Sequence, residues 1–95
     1  MNRCDFTDAA IIDLESIHDF IAHDSPSAAA RLAQLIRERC FLLAVNPMMG
    51  RSRDDLAPNL RSLAGTNHVV FYRAVADGVQ ILRIISGGRS IEGLF

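Results

Sequence analysis

Arginine is the residue type that offers this sequence the most chemistry. All ten of its Lys and Arg positions are arginine, so each fixed positive side chain is a planar fork of donors suited to carboxylate, phosphate or an aromatic face. Four of them, Arg61, Arg73, Arg83 and Arg89, fall once each on or beside consecutive strand-like segments. Such a set can form a shared surface for phosphates or for a partner's carboxylates, or each arginine can be paired inside the fold. Arg83 is the sharpest case, because within Ile81-Leu82-Arg83-Ile84-Ile85 a guanidinium is costly unless it is paired or reaches water. An acidic residue such as Asp13 or Glu15 is its expected internal partner. If the hairpin sets odd residues against odd, Arg73 and Arg83 share a face, and a slip of one residue separates them.

The other reactive side chains are sparse. Tyr72 is the one tyrosine and reads as a sheet residue with its hydroxyl at the edge, with general base or stacking platform as the alternative. His68 opens a strand and is expected to be exposed, while His18 and His23 lie on a first helix away from any nucleophile. Ser62, Ser86 and Ser90 lack a nucleophile-elbow context. Gly87-Gly88 is followed by no strand-to-helix switch of the kind a phosphate loop needs. Cys4 and Cys40 show no metal-ligand spacing with the histidines and read as reduced, packed thiols. No metal or cofactor is expected.

The elements that must position these residues follow from periodicity. Cys4 and Phe6 share one face of a short first strand, and Thr7 or Asp8 caps a helix. Ala10, Leu14, Ile17 and Ile21 form its apolar stripe, with Asp13, Glu15 and Asp19 off it, and the helix stops near His23. Asp24-Ser25-Pro26 restarts the chain: Ser25 caps, and Pro26 suits the first helical position. Ala28, Leu32, Leu35, Ile36 and Leu43 trace the second apolar face, until Asn46-Pro47 ends the helix. So short a turn makes the two helices antiparallel. Residues 48–58 read as a loop, and strands are expected at 60–63, 68–75 and 79–86, with Ala76-Asp77-Gly78 as a hairpin turn. The fold class is α+β: a short N-terminal strand, then an antiparallel helical hairpin packed on a twisted antiparallel β-sheet, all in a single domain over residues 1–95.

Composition narrows the function classes. An apolar fraction of 49% and a charged fraction of 22% belong to a globular chain, which at this length buries roughly two-thirds of its unfolded surface. The longest apolar run, Phe41 to Val45, is far too short to span a membrane, and no leader precedes the fold, so a cytoplasmic protein is expected. A net charge of −1 gives little non-specific pull on nucleic acid. Phe41, Leu94 and Phe95 lie beyond the obvious core stripe and suggest a contact surface.

Taken in order, several stretches resemble ParE-type toxins of bacterial toxin–antitoxin pairs, within the wider RelE/ParE superfamily. They are residues 10–17 (AIIDLESI) with Phe20-Ile21, Asp24-Ser25-Pro26 with Ala28-Ala29-Ala30, Asn46-Pro47-Met48-Met49-Gly50-Arg51, Asn59-Leu60-Arg61-Ser62, Val70-Phe71-Tyr72-Arg73, and Ile81 to Ile85 with Gly87 to Arg89. Their order and spacing across nearly the whole chain carry the resemblance. It implies a cognate antitoxin, ParD-like or similar, that binds directly. It also implies one of two activities: inhibition of DNA gyrase by protein contact, or ribosome-dependent cleavage of messenger RNA. The ribonuclease branch resembles a strongly basic cleft with a histidine just after the last apolar run. Here that place is Ser86, and no histidine or tyrosine follows Tyr72. Arg61, Arg73, Arg83 and Tyr72 are the weak catalytic candidates. The partner-binding candidates are Arg61, Arg73, Arg83, Arg89, Phe41, Leu94 and Phe95. The expectation is a non-enzymatic toxin directed at gyrase, with the ribonuclease, or a toxin-derived binding module without toxicity, as alternatives.

Overall fold

The computed structural model describes residues 2–65, 67–87 and 93–95. Strand β1 (Arg3–Phe6) leads into helix α1 (Asp8–Ala22), then α2 (Pro26–Val45), β2 (Arg51–Ser52), β3 (Arg61–Ala64), β4 (His68–Val75) and β5 (Gly78–Ser86). Both helix starts follow from their caps. The Thr7 hydroxyl accepts from the Ala10 amide at 3.1 Å, and the Ser25 hydroxyl accepts from the Ala28 amide at 3.2 Å, each such cap stabilising by about 1 kcal/mol.

The five strands form one sheet in the order β1-β5-β4-β3-β2. It is mixed rather than purely antiparallel, because β1 runs parallel to β5. The reason is topological. Two antiparallel helices return the chain to the end of the sheet at which β1 finished, and three antiparallel reversals from β2 onward leave β5 running alongside β1. The two-residue strand β2 lies within the segment expected to be loop.

The central hairpin is irregular where it matters. Phe71 stands opposite Arg83 and Tyr72 opposite Ile81, so Leu82 is the extra residue of a β-bulge. Val79, Ile81 and Ile84 all enter the helix-facing core, so the alternation slips by one residue across the bulge. The Leu82 carbonyl is not left unpaired: the Thr7 hydroxyl donates to it at 2.8 Å. One side chain therefore caps α1 and ties that helix to the bulge.

Two apolar clusters sandwich the sheet. Facing the helices, Ala10, Ile36, Cys40, Leu43 and Ala44 pack on Val70, Tyr72, Val79, Ile81 and Ile84. On the opposite face Leu60, Phe71 and Ile85 are covered by Leu56, Ala57 and Leu94. The Phe95 ring tilts against Phe71 with centroids 5.0 Å apart. The inner face of α2 differs from the expected stripe: Ala29, Ala33, Ile36, Cys40, Leu43 and Ala44 are buried, and Leu35 is turned outward. Small residues won the interior because α1 crosses α2 there, and an alanine face lets two helices approach closely.

A candidate partner-contact surface

Three of the residues singled out for chemistry are engaged inside the fold. Tyr72 is fully buried in the helix-facing cluster, so its hydroxyl is not at the sheet edge. It donates to the Pro47 carbonyl at 2.7 Å and accepts from the Gly50 amide at 2.8 Å. Its cross-strand neighbour is Arg61, whose Nη2 donates to the Met48 carbonyl at 3.1 Å and to the Gly50 carbonyl. Gly50 is required by this approach, since a Cβ there would sit 2.5 Å from the Tyr72 hydroxyl and 2.7 Å from the Ser62 carbonyl. Together these contacts clamp the turn between α2 and β2.

Arg83 has the internal partner that cost demanded. Its Nε lies 2.7 Å and its Nη2 2.9 Å from the two carboxylate oxygens of Asp13, and the Ile84 amide donates to the same carboxylate at 2.9 Å. Asp13 is consequently buried, although its place in the helical pattern put it off the apolar stripe. The bulge explains the geometry, because Arg83 sits where the alternation slips and so turns its guanidinium toward α1. A bidentate pair with a third donor satisfies most of what burial strips from both charges.

No shared arginine face forms from Arg73 and Arg83. Beyond the bulge the register becomes odd against even, Arg73 stands opposite Gln80, and Arg83 is committed to Asp13. Arg73 is half-buried and makes no ion pair among the described residues. Arg89 lies outside the described residues. Leu94 packs against the second cluster, and Phe95 lies on Phe71 while still partly exposed.

His68 departs from expectation as well. It is 3% exposed rather than open to solvent, and neither ring nitrogen has a hydrogen-bond partner among the described residues. Burial, with the Arg39 guanidinium nearby, holds its imidazole below the ordinary range, hence neutral at neutral pH. Tyr72 is thus enclosed and His68 lies inside the fold, so neither stands as an accessible group beside the described arginines.

What the clamped turn presents to solvent is apolar. Met48 is 73% exposed, and Phe41, Leu42, Val45 and Met49 continue the patch along the end of α2. Phe41 and Val45 share a helical face one turn apart. Residues 45–49 line a shallow groove of about 470 Å³. A second groove of about 540 Å³ runs between the helices over Ile11, Leu14, Ala33 and Arg37, and Ile12 and Phe20 stand exposed on α1. Of this surface the sequence reading named only Phe41. The available signal was Pro47-Met48-Met49-Gly50, two large apolar side chains in a turn that has no core of its own to fill.

Comparison with known proteins agrees with this architecture. The family described as "ParE toxin of type II toxin-antitoxin system, parDE" matches residues 4–91. Among curated proteins, Toxin ParE1 from two strains of Mycobacterium tuberculosis is 35% identical over 43 residues, a match spanning 44% of this chain and 44% of the relative's length. Among solved structures, a chain of the chromosomal ParDE TA system from P. aeruginosa superposes with a TM-score of 0.73 at 27% identity, covering 86% of this chain and 91% of that one. The chain belongs to the ParE toxin family of type II toxin–antitoxin systems.

Proposed function

We propose that this chain is a toxin held inactive by direct binding of a cognate ParD-like antitoxin, and that when released it inhibits DNA gyrase through protein contact rather than by cutting RNA. The observation that carries this reading is the engagement of Tyr72, Arg61 and Arg83 with Pro47, Met48, Gly50 and Asp13. RNA cleavage needs one group near the 2′-hydroxyl and another near the leaving oxygen. A buried tyrosine with its proton and lone pair both occupied serves neither role. The surface that remains is large and apolar, with Arg37 beside it making no ion pair among the described residues, which is the composition of a protein contact. The antitoxin would lay apolar and acidic segments across the helical hairpin and the sheet, over Phe41 and Leu42 with carboxylates meeting Arg37 on the hairpin, and with further carboxylates meeting Arg73 on the far face of the sheet.

A supercoiling assay with purified toxin tests the target. Inhibition at micromolar excess, relieved by adding the antitoxin, is expected; unchanged gyrase activity removes the gyrase claim. Codon-positioned cuts in translated messages after induction would replace it with the ribonuclease reading. For the antitoxin, Phe41→Asp is expected to raise the Kd at least tenfold while leaving the Tm within a few degrees, because Phe41 is 64% exposed.

A further inference from the structure

Cys4 and Cys40, far apart in sequence, meet across the interface between β1 and α2. Alternation along β1 exposes Arg3 and Asp5 and turns Cys4 and Phe6 inward. Cys4 pairs with Val79 in the parallel ladder and packs against the helix-facing cluster. Cys40 belongs to that same cluster, fully buried between Ile36 and Leu43 on the inner face of α2. Both thiols are free, and both side chains sit in the one cluster packed between β1 and α2. A disulfide needs its two sulfurs brought to about 2.05 Å with Cα atoms about 4.4–6.8 Å apart. Two inward side chains that share one cluster, from a strand and the helix covering it, require side-chain rotation rather than refolding.

We propose that Cys4 and Cys40 form a two-thiol redox-modification site that takes a hydroperoxide-class oxidant and closes into an intramolecular disulfide. The two thiols have unequal roles. Cys4 is half-buried and so within reach of a small oxidant, whereas Cys40 is enclosed. The neighbouring Cys40 thiol holds the Cys4 thiol below its ordinary range, while Cys4 together with burial pushes Cys40 up. Cys4 therefore reacts first. Its thiolate attacks one peroxide oxygen, an S–O bond forms as the O–O bond breaks, and hydroxide leaves. The Cys40 sulfur then attacks the Cys4 sulfenic acid, the S–S bond forms, and the departing hydroxide takes up the Cys40 proton as water. In balance, two thiols and one hydrogen peroxide give one disulfide and two waters. The closed form staples the edge strand β1 to α2, and it does so whether or not the gyrase reading holds.

The test uses the full chain, treated with hydrogen peroxide, then unfolded, alkylated and weighed. Reduced protein takes two alkyl groups. Oxidised protein is expected to take none, to weigh about 2 Da less through loss of two hydrogens, to give a Cys4–Cys40 linked peptide, and to revert with dithiothreitol. Closing so long a loop is expected to raise the Tm by roughly 10 °C or more. Cys40→Ser disturbs the core, so Cys4→Ser is the informative variant: it should fold, abolish the mass change and leave the Tm indifferent to peroxide. Two alkylatable thiols after treatment, a stable sulfenic or sulfinic acid on Cys4 alone, or disulfide-linked dimers on a non-reducing gel would each overturn the proposal.

Discussion

Arg83 and Arg61 solve the same problem in opposite ways. Each is an arginine in an apolar strand, and each turns toward the helical side of the sheet. Arg83 meets a carboxylate and joins α1 to the bulge of β5, so two elements of the fold depend on one charge pair. Arg61 meets the backbone carbonyls of Met48 and Gly50 and, with Tyr72, fixes a turn that belongs to neither core. The first clasp holds the fold. The second holds a surface in shape, and the side chains it displays, Met48 and Met49, contribute little to stability and much to what can be contacted. Residues that resemble catalytic equipment when read as a list hold elements of the fold together here.

The largest effect should come from breaking the charged clasp. Asp13→Ala leaves the Arg83 guanidinium and the Ile84 amide without partners, and about 3–5 kcal/mol of stability should be lost, read from urea unfolding. A loss below about 1 kcal/mol would mean that Arg83 escapes to water along its stem. Replacing both partners with leucine separates pairing from burial. That double variant should recover most of the loss, because a well-packed apolar pair avoids desolvating either charge.

Breaking the other clasp should cost less and act elsewhere. Tyr72→Phe strands the Gly50 amide and the Pro47 carbonyl, for a loss of about 1–3 kcal/mol. Its signature is local: hydrogen exchange at the Gly50 amide should accelerate, and antitoxin affinity should fall as the turn carrying Met48 loosens. Asp13→Ala should leave Gly50 exchange unchanged under conditions where the fold persists. If both variants accelerate it equally, the two clasps are one cooperative unit and the distinction fails.

Most of the frame was legible because its signals are local. The cap at Thr7 (one of the two candidates, with Asp8), the cap at Ser25, the stop at Asn46-Pro47 and the hairpin turn within Ala76-Asp77-Gly78 each act within a few residues, and all stand where the sequence placed them. Pairing across the chain was harder to read. The bulge at Leu82 depends on how two strands meet, and no residue type announces it, so the faces of Arg73 and Arg83 could be stated only as a condition on register. Asp13 was visible as a partner for Arg83 but not as a buried residue, because helical periodicity assigns faces by spacing and cannot see a charge waiting across the interface. The enclosure of Tyr72 has the same origin: its bonding partners at Pro47 and Gly50 lie on a turn brought back by tertiary packing.

His68 offers the complementary case, a buried polar group with no clasp among the described residues. It opens β4 and borders a cavity of about 410 Å³ lined by Asp13, Phe20, Leu32, Ile84 and Ser86. Arg39 faces it from α2, and the Asp13 carboxylate in the same cavity is already held by Arg83 and the Ile84 amide. Burial and Arg39 lower its pKa below the unfolded value near 6.5, so the folded chain resists the proton that the unfolded chain accepts. Stability should therefore be level above about pH 6.5 and should fall as pH drops below it, toward the lowered folded pKa. Thermal unfolding at pH 7.5 and pH 5.2 measures this, with a drop of about 5 °C expected for the natural chain. His68→Phe removes both unpaired nitrogens and should flatten the profile in that window without lowering the Tm at pH 7.5. An equal acid-induced drop in the variant would take the sensitivity away from His68 and would show that its buried imidazole is tolerated at no measurable cost.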